Sequence, residues 1–174
     1  MGEFTVKFAS TDAELAGKGF VHYQAWNEAY TGLIPQAYLD SRSLADCRRK
    51  ALDRTFPTLV AVADGKVAGF ANYLPSCRDF VSVPDSAEIV ALYVLEEFQR
   101  RGIGSALMER CMAELPEGKS VVLFVLEGNE KAIRFYRKHG FVFTGSSLTE
   151  QVPGGEIREL EMVKRAAAPL CSSQ

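Results

Sequence analysis

The spacing of hydrophobic positions changes along the chain between a helical period and a strand period, and these changes divide it into elements. A short strand is predicted over residues 5–9. Thr11 and Glu14 form a capping box, in which each side chain can satisfy the other residue's backbone amide. The helix that follows runs to a break at Thr31-Gly32, and a second helical region is predicted over residues 35–52.

The second half of the chain alternates strands with helices. Asp64-Gly65 is a two-residue hairpin signal between two β-branched, apolar runs. Strands are predicted over residues 58–63, 66–74, 88–94, 120–126, 141–144 and 158–164, with helices over 104–115 and 129–140. The predicted order is one strand, two helices and an antiparallel pair, followed by β-α-β-α-β-β. The fold class is therefore α/β (α+β), in a single domain without internal repeats.

Composition and charge narrow the functional classes. The chain has 174 residues, 47% of them hydrophobic and 24% charged, which fits one domain with a substantial core. A net charge of −2 predicts no nucleic-acid partner, and no run approaches the ~20 apolar residues of a membrane span. Four cysteines without a CxxC spacing predict a reducing, cytoplasmic setting and no metal. The oligomeric state is open, with a homodimer as one option.

The segment with the clearest chemical content is the glycine turn at residues 99–104, which directly precedes a helix. The unpaired amides at the start of a helix carry partial positive charge, and glycine lets a phosphate approach the backbone closely. A Gly-x-Gly turn alone can also do no more than connect a strand to a helix. A dinucleotide-binding fold is a serious alternative. Its fingerprint has a third glycine, but this chain has Leu107 at that position. About seven residues also separate Val94 from Gly102, whereas that fingerprint turns immediately after its strand.

Two motifs in this half resemble those of one family. Gln99-Arg100-Arg101-Gly102-Ile103-Gly104 matches the Gln/Arg-x-x-Gly-x-Gly/Ala motif of the GNAT superfamily of N-acetyltransferases at every specified position. Residues 129–141 are similar to its Asn-x-x-Ala-x-x-Phe-Tyr-x-x-x-Gly-Phe helix. The resemblance covers roughly residues 58–164 and implies a GNAT-like domain over residues 1–165 with a flexible C-terminal tail at 166–174. It further implies a mixed, mostly antiparallel sheet flanked by helices, with acetyl-CoA where two central parallel strands splay.

The resemblance also implies a set of cofactor-binding residues. The pyrophosphate would lie on the turn, the pantetheine arm along one central strand, and Asn129 would contact the arm, although Asn129 is equally a good helix N-cap. The implied set is Leu92, Tyr93, Val94, Gln99, Arg100, Arg101, Gly102, Ile103, Gly104, Ser105, Asn129 and Tyr136.

Direct acetyl transfer requires a base for the amine, a donor for the oxyanion and a proton for the departing thiolate. By resemblance, Glu88 is the candidate base and Tyr136 the candidate acid, while a backbone amide of strand 92–94 would serve the oxyanion. The competing interpretation of Glu88 is a surface glutamate at a strand end, and that of Tyr136 is an aromatic residue of the core.

The acceptor is less defined. Trp26, Tyr30 and Tyr73 are candidate substrate-binding aromatics, although the first two can equally pack a helix against the sheet. A small-molecule primary amine, including an amino-acid-like metabolite, is the leading acceptor class. A protein N-terminus or lysine, a CoA-binding module without turnover and a dinucleotide-dependent oxidoreductase are the alternatives.

Overall fold

The computed structural model describes residues 3–167, which form seven strands and five α-helices. The candidate tail therefore lies mostly outside the described residues. In chain order the elements are β1 (Phe4–Phe8), α1 (Asp12–Tyr30), α2 (Gln36–Asp40), α3 (Leu44–Leu52), β2 (Thr58–Ala63), β3 (Lys66–Leu74), β4 (Ala87–Val94), α4 (Ile103–Glu114), β5 (Val121–Leu126), α5 (Glu130–Lys138), β6 (Val142–Val152) and β7 (Gly155–Lys164).

All seven strands belong to one sheet with the order β1-β2-β3-β4-β5-β7-β6. Neighbouring strands within residues 3–167 run antiparallel except β4 and β5, which run parallel. The predicted mixed, mostly antiparallel sheet is therefore confirmed.

The parallel pair separates along its length. β4 and β5 pair only from Ala87↔Val121 to Ile89↔Leu123. Residues 90–94 of β4 and 124–126 of β5 continue without pairing to each other. This splay opens the middle of the sheet towards the carboxyl ends of both strands.

An irregular register in β4 determines which side chains share a face. Leu74 pairs with Glu88, but Asn72 pairs with Ala91, so β4 carries one extra residue between these pairs. Cross-strand partners point to the same face of a sheet, and a β-bulge shifts the alternation by one position. Glu88 and Tyr93 consequently lie on one face, which an unbroken two-residue period would not allow.

Helices cover both faces of the sheet. The ring of His22 on α1 lies 5.7 Å from that of Phe70, whereas a Cβ at the adjacent Gly69 would lie 3.2 Å from Leu107 on α4. Since neighbouring strand residues point to opposite faces, α1 and α4 lie on opposite sides. α3 packs closely on α1 at Gly19, where a Cβ would lie only 2.6 Å from the Arg48 Cα.

Two predicted elements differ from the structure. The single helical region over 35–52 is wrong, because α2 and α3 are separate helices; Ser43 caps α3 by accepting a hydrogen bond from the Asp46 amide at 3.0 Å. β6 extends to Val152 rather than ending at residue 144, and its added residues are largely exposed and polar. Among residues 3–167, no helix is long and apolar enough to cross a bilayer.

Candidate active site

A cleft of about 1050 Å³, hereafter the main cleft, follows the splay between β4 and β5. It extends from the turn before α4, past the unpaired length of β4, to the first turns of α5. Its walls include most of the residues predicted to bind the cofactor: Leu92, Tyr93, Val94, Gln99, Arg100, Gly102, Gly104, Ser105, Asn129 and Tyr136.

The glycine turn is shaped as an open backbone cradle. Gly102 is the N-cap of α4 and has φ +88°, a left-handed conformation that favours glycine. A Cβ at Gly102 would meet no atom within 4 Å. No side chain caps α4, and Gly102, Gly104 and Ser105 line the main cleft, so the amides of the α4 start are available to a diphosphate.

Two residues of the predicted cofactor set turn their side chains away from the main cleft. The Arg101 guanidinium lies 3.4 Å from Asp64 and stacks on Phe98. Ile103 is only 1% exposed and belongs to the core. Any contribution of these two residues to an anion in the cradle comes from their backbone amides.

Gln99 and Asn129 hold the backbone around the main cleft. Gln99 Nε2 donates to the Val94 carbonyl at 2.9 Å, which ties the turn to the end of β4. Asn129 Oδ1 accepts from the Ala132 amide at 3.2 Å and caps α5. The capping interpretation of Asn129 is thus correct, and its place in the wall of the main cleft leaves the cofactor contact open as well.

Tyr136 lies in the wall of the main cleft on α5 and is 8% exposed. Burial raises the pKa of its phenol well above the usual value. The phenol therefore stays protonated at neutral pH and can donate a proton or a hydrogen bond. Its ring also packs against Phe135 and Phe141, so the core interpretation holds at the same time.

Glu88 is fully buried on β4, at 0% exposure, rather than at the surface. Arg78 binds its carboxylate through the guanidinium, with Nε donating to both oxygens at 3.1 Å, and through its backbone amide at 3.2 Å. These hydrogen bonds occupy both oxygens of the carboxylate. Accepting a proton at Glu88 therefore competes with the Arg78 contacts, and the 39% exposure of Arg78 gives its guanidinium room to move.

A second chamber of about 630 Å³ adjoins the main cleft on the side of α1 and α3. Tyr93 lines both cavities and forms part of the wall between them. Trp26 Nε1 donates to the Tyr93 hydroxyl at 3.0 Å, and the Tyr30 hydroxyl lies 3.0 Å from the same atom. Trp26 and Tyr30 thus both anchor α1 to the sheet and stand at the junction of the cavities.

Tyr73 lies elsewhere. It is 5% exposed, lies in the core near Cys111, Glu114 and Arg110 on the α4 side, and lines neither cavity. The sequence pattern shows that adjacent strand residues alternate between faces, but not which face would contact α1. The structure does not bring this third aromatic candidate to the site.

Several charged residues of the two cavities were not predicted from the sequence, and three of them matter most for the site. Arg78 lies in a polar loop, Arg42 lies within the stretch predicted as one continuous helix, and Glu159 lies on a strand with many exposed charges. No local motif marks any of them, because their positions depend on the packing of distant elements.

A splayed parallel pair, a glycine cradle at a helix start and a neutral buried tyrosine define a class of enzyme that binds a diphosphate-bearing, extended cofactor. The model of the acetyltransferase (GNAT) family matches residues 21–141. A probable N-acetyltransferase of Mycobacterium tuberculosis is 28% identical over 138 residues, covering 74% of this chain and 75% of the relative. An uncharacterized N-acetyltransferase of Bacillus subtilis is 31% identical over 123 residues, covering 68% and 69%.

Among solved structures, the PaiA N-acetyltransferase of Thermoplasma acidophilum in complex with coenzyme A is similar in fold. Its TM-score is 0.62 at 22% identity, covering 94% of this chain and 99% of that one. The chain belongs to the acetyltransferase (GNAT) family and is an acetyl-CoA-dependent N-acetyltransferase. The alternatives of a dinucleotide oxidoreductase and a CoA-binding module without turnover are therefore wrong.

Proposed function

We propose that this enzyme acetylates the primary amine of a small molecule by direct transfer from acetyl-CoA. The observation that carries the proposal is the second chamber, which meets the main cleft at Tyr93 and is lined by residues of α1 and α3. A cavity of this kind suits a small acceptor better than an extended polypeptide. Acetylation of a protein N-terminus or lysine is the competing proposal.

The shape of the main cleft supports a bound acetyl-CoA in one orientation. The open cradle at Gly102 suits the diphosphate, because a side chain there would fill the space. The unpaired edge of β4 over residues 90–94 suits the amides of a pantetheine arm, which can bond to it as a neighbouring strand does. These two contacts direct the thioester towards Tyr136.

Four groups of this chain would then act on the reaction. The amine attacks the thioester carbonyl, and a backbone amide of residues 92–94 donates to the oxyanion that develops. As the carbon–sulfur bond breaks, the sulfur takes a proton from the Tyr136 hydroxyl, and the proton that the attacking nitrogen loses as the amide forms returns through water to the Tyr136 oxygen. The acceptor enters as an ammonium, so before the attack Glu88 takes its proton, directly or through water, once Arg78 has released the carboxylate.

The test is thiol release from acetyl-CoA with a panel of amines and peptides. We expect small primary amines to be turned over and peptide N-termini or lysines to react at least about tenfold more slowly, since one group that does not fit a pocket costs about 1–3 kcal/mol. The Tyr136→Phe variant should lower kcat about 100-fold, the usual contribution of a general acid, with little change in the affinity for CoA. Preferential turnover of peptides would instead support the competing acceptor class, and an unchanged kcat would remove the role of Tyr136.

Two properties accompany this proposal as expectations. Cys47, Cys77 and Cys111 are free thiols, which supports a reducing, cytoplasmic compartment. A homodimer stays a prediction, to be tested by light scattering.

A further inference from the structure

The inner part of the second chamber carries positive charge that its own walls do not neutralise. The Arg42 Cζ lies 3.7 Å from the Trp26 ring centroid, so the guanidinium is stacked on an aromatic face. Its Nη2 makes only long contacts, to His22 Nε2 at 3.4 Å and to Cys47 Sγ at 3.5 Å. Its Nε is buried without a hydrogen-bond acceptor, and within residues 3–167 no carboxylate forms a salt bridge with it.

A second cation shares this chamber. Lys18 projects from α1 with its Nζ 5.3 Å from the Phe70 ring centroid, and within the described part of the chain it has no acidic partner. Burial lowers the pKa of its ammonium. Burial, followed by the positive charges of Arg42, Lys18 and Lys50, lowers the pKa of His22 to about 3, so its imidazole is neutral. The chamber thus favours an anionic group.

The opposite charge lies at the boundary with the main cleft. Glu159 on β7 lines both cavities, and among residues 3–167 its carboxylate makes no hydrogen bond or salt bridge. Burial, followed by the charge of Glu150, raises the pKa of Glu159. The two other acidic residues of the chamber, Asp46 and Asp53, lie towards the outside, and Asp46 is paired with Arg49. Arg78 also lines both cavities, but it is paired with Glu88, so the unpaired charge changes from positive in the inner chamber to negative at the boundary with the main cleft.

We propose that the second chamber selects an acceptor amine that also carries a carboxylate, which Arg42 and Lys18 bind while Glu159 faces the amine. The planar guanidinium suits a carboxylate because two parallel N–H groups can donate to its two oxygens. An acceptor bound this way presents its amine at the shared wall, where the thioester of the proposed reaction would lie. This inference rests on the proposed function and specifies its acceptor class.

The experiment compares amines that differ only in the carboxylate. ε-Aminocaproate, γ-aminobutyrate and L-methionine are each assayed against the matching carboxamide, by thiol release and by calorimetric binding to the CoA-saturated enzyme. We expect each acid that fits to have a KM about 10- to 100-fold below that of its amide, the range that a hydrogen bond to a charged group supplies. Arg42→Gln should abolish that preference by raising KM for the acids to the level of their amides, while KM for acetyl-CoA stays within about twofold.

Arg48→Gln is the matched control, because it removes the same charge from an exposed position of α3 that lines neither cavity. Lys18→Gln is the second variant, used if melting curves show that Arg42→Gln does not fold, and it should weaken the acids in the same direction.

Equal use of acids and amides by the wild-type enzyme would overturn the inference while leaving acetyl transfer intact. An equal loss for acids and amides in Arg42→Gln would overturn it too. A third outcome is that calorimetry detects binding of the acids that depends on Arg42, while no amine releases thiol. That outcome would support the carboxylate site and refute the proposed reaction.

Discussion

Replacing Gly102 by alanine separates the cost of backbone strain from the cost of blocking the anion cradle. Gly102 has φ +88°, where a non-glycine residue loses about 1–2 kcal/mol. For a chain of 174 residues that loss corresponds to a melting temperature lower by roughly 2–8 °C. The new Cβ meets no protein atom within 4 Å, so no clash within the protein adds to this cost.

We expect the same Cβ to hinder the approach of a diphosphate to the amides at the α4 start. Losing one hydrogen bond from a backbone amide to a charged oxygen of the diphosphate costs about 1.5–3 kcal/mol of binding free energy. The Kd for CoA should therefore rise roughly 10- to 100-fold in Gly102→Ala. Isothermal titration calorimetry measures the affinity, and thermal unfolding without ligand measures the strain.

Gly118→Ala is the matched control. Gly118 has φ +76°, also meets nothing within 4 Å, and lies in the turn between α4 and β5, outside the lining of the main cleft. It should show a similar loss of stability with unchanged CoA affinity. If both variants bound CoA as the wild type does, or lost affinity equally, the cradle could not be the diphosphate site.

Two further predictions concern carboxylates. Glu88→Gln should lower the rate strongly at neutral pH and less at alkaline pH, where the amine deprotonates without help; a pH–rate profile reduced equally at every pH would leave Glu88 only the role of holding Arg78. The ion pair with Lys7 and the hydrogen bonds from Ser10 and Thr11 lower the pKa of Glu14 from 4.5 to about 2. The ionised carboxylate therefore stabilises the fold fully above pH 4.5, and this contribution is lost as the pH falls through about 2. Glu14→Gln should thus reduce stability by about 1 kcal/mol at neutral pH, and the gap in unfolding free energy should close towards pH 2; a gap independent of pH would refute the assignment.

Local patterns predicted those parts of the fold that depend on local chemistry. The capping box of Thr11 and Glu14, the Asp64-Gly65 hairpin and the start of α5 at Asn129 lie where the sequence places them. Each depends on residues within a few positions, so a short window of sequence contains the relevant physics. The glycine turn was found for the same reason.

Features that depend on packing between distant elements could not be predicted in this way. The exposed, polar second half of β6 is held by its pairing with β7, which propensity alone does not reveal. The ion pair of Arg78 and Glu88 needs the loop to fold back over β4, and Arg42 reaches Trp26 only because Ser43 starts a new helix. The family resemblance supplied the role expected of Glu88 but not its surroundings.

The divergence of β4 from β5 leaves a gap at the centre of the sheet that could hold one more extended segment. Residues 90–94 and 124–126 face each other with backbone amides and carbonyls that neither strand supplies to the other. An extended ligand seated there would complete the hydrogen-bond ladder, so the stability of the fold becomes linked to ligand concentration by RT ln(1 + [L]/Kd). If acetyl-CoA binds in this gap as proposed, amide hydrogen exchange along this edge should slow in proportion to cofactor occupancy, and the cofactor would serve as a reversible eighth strand.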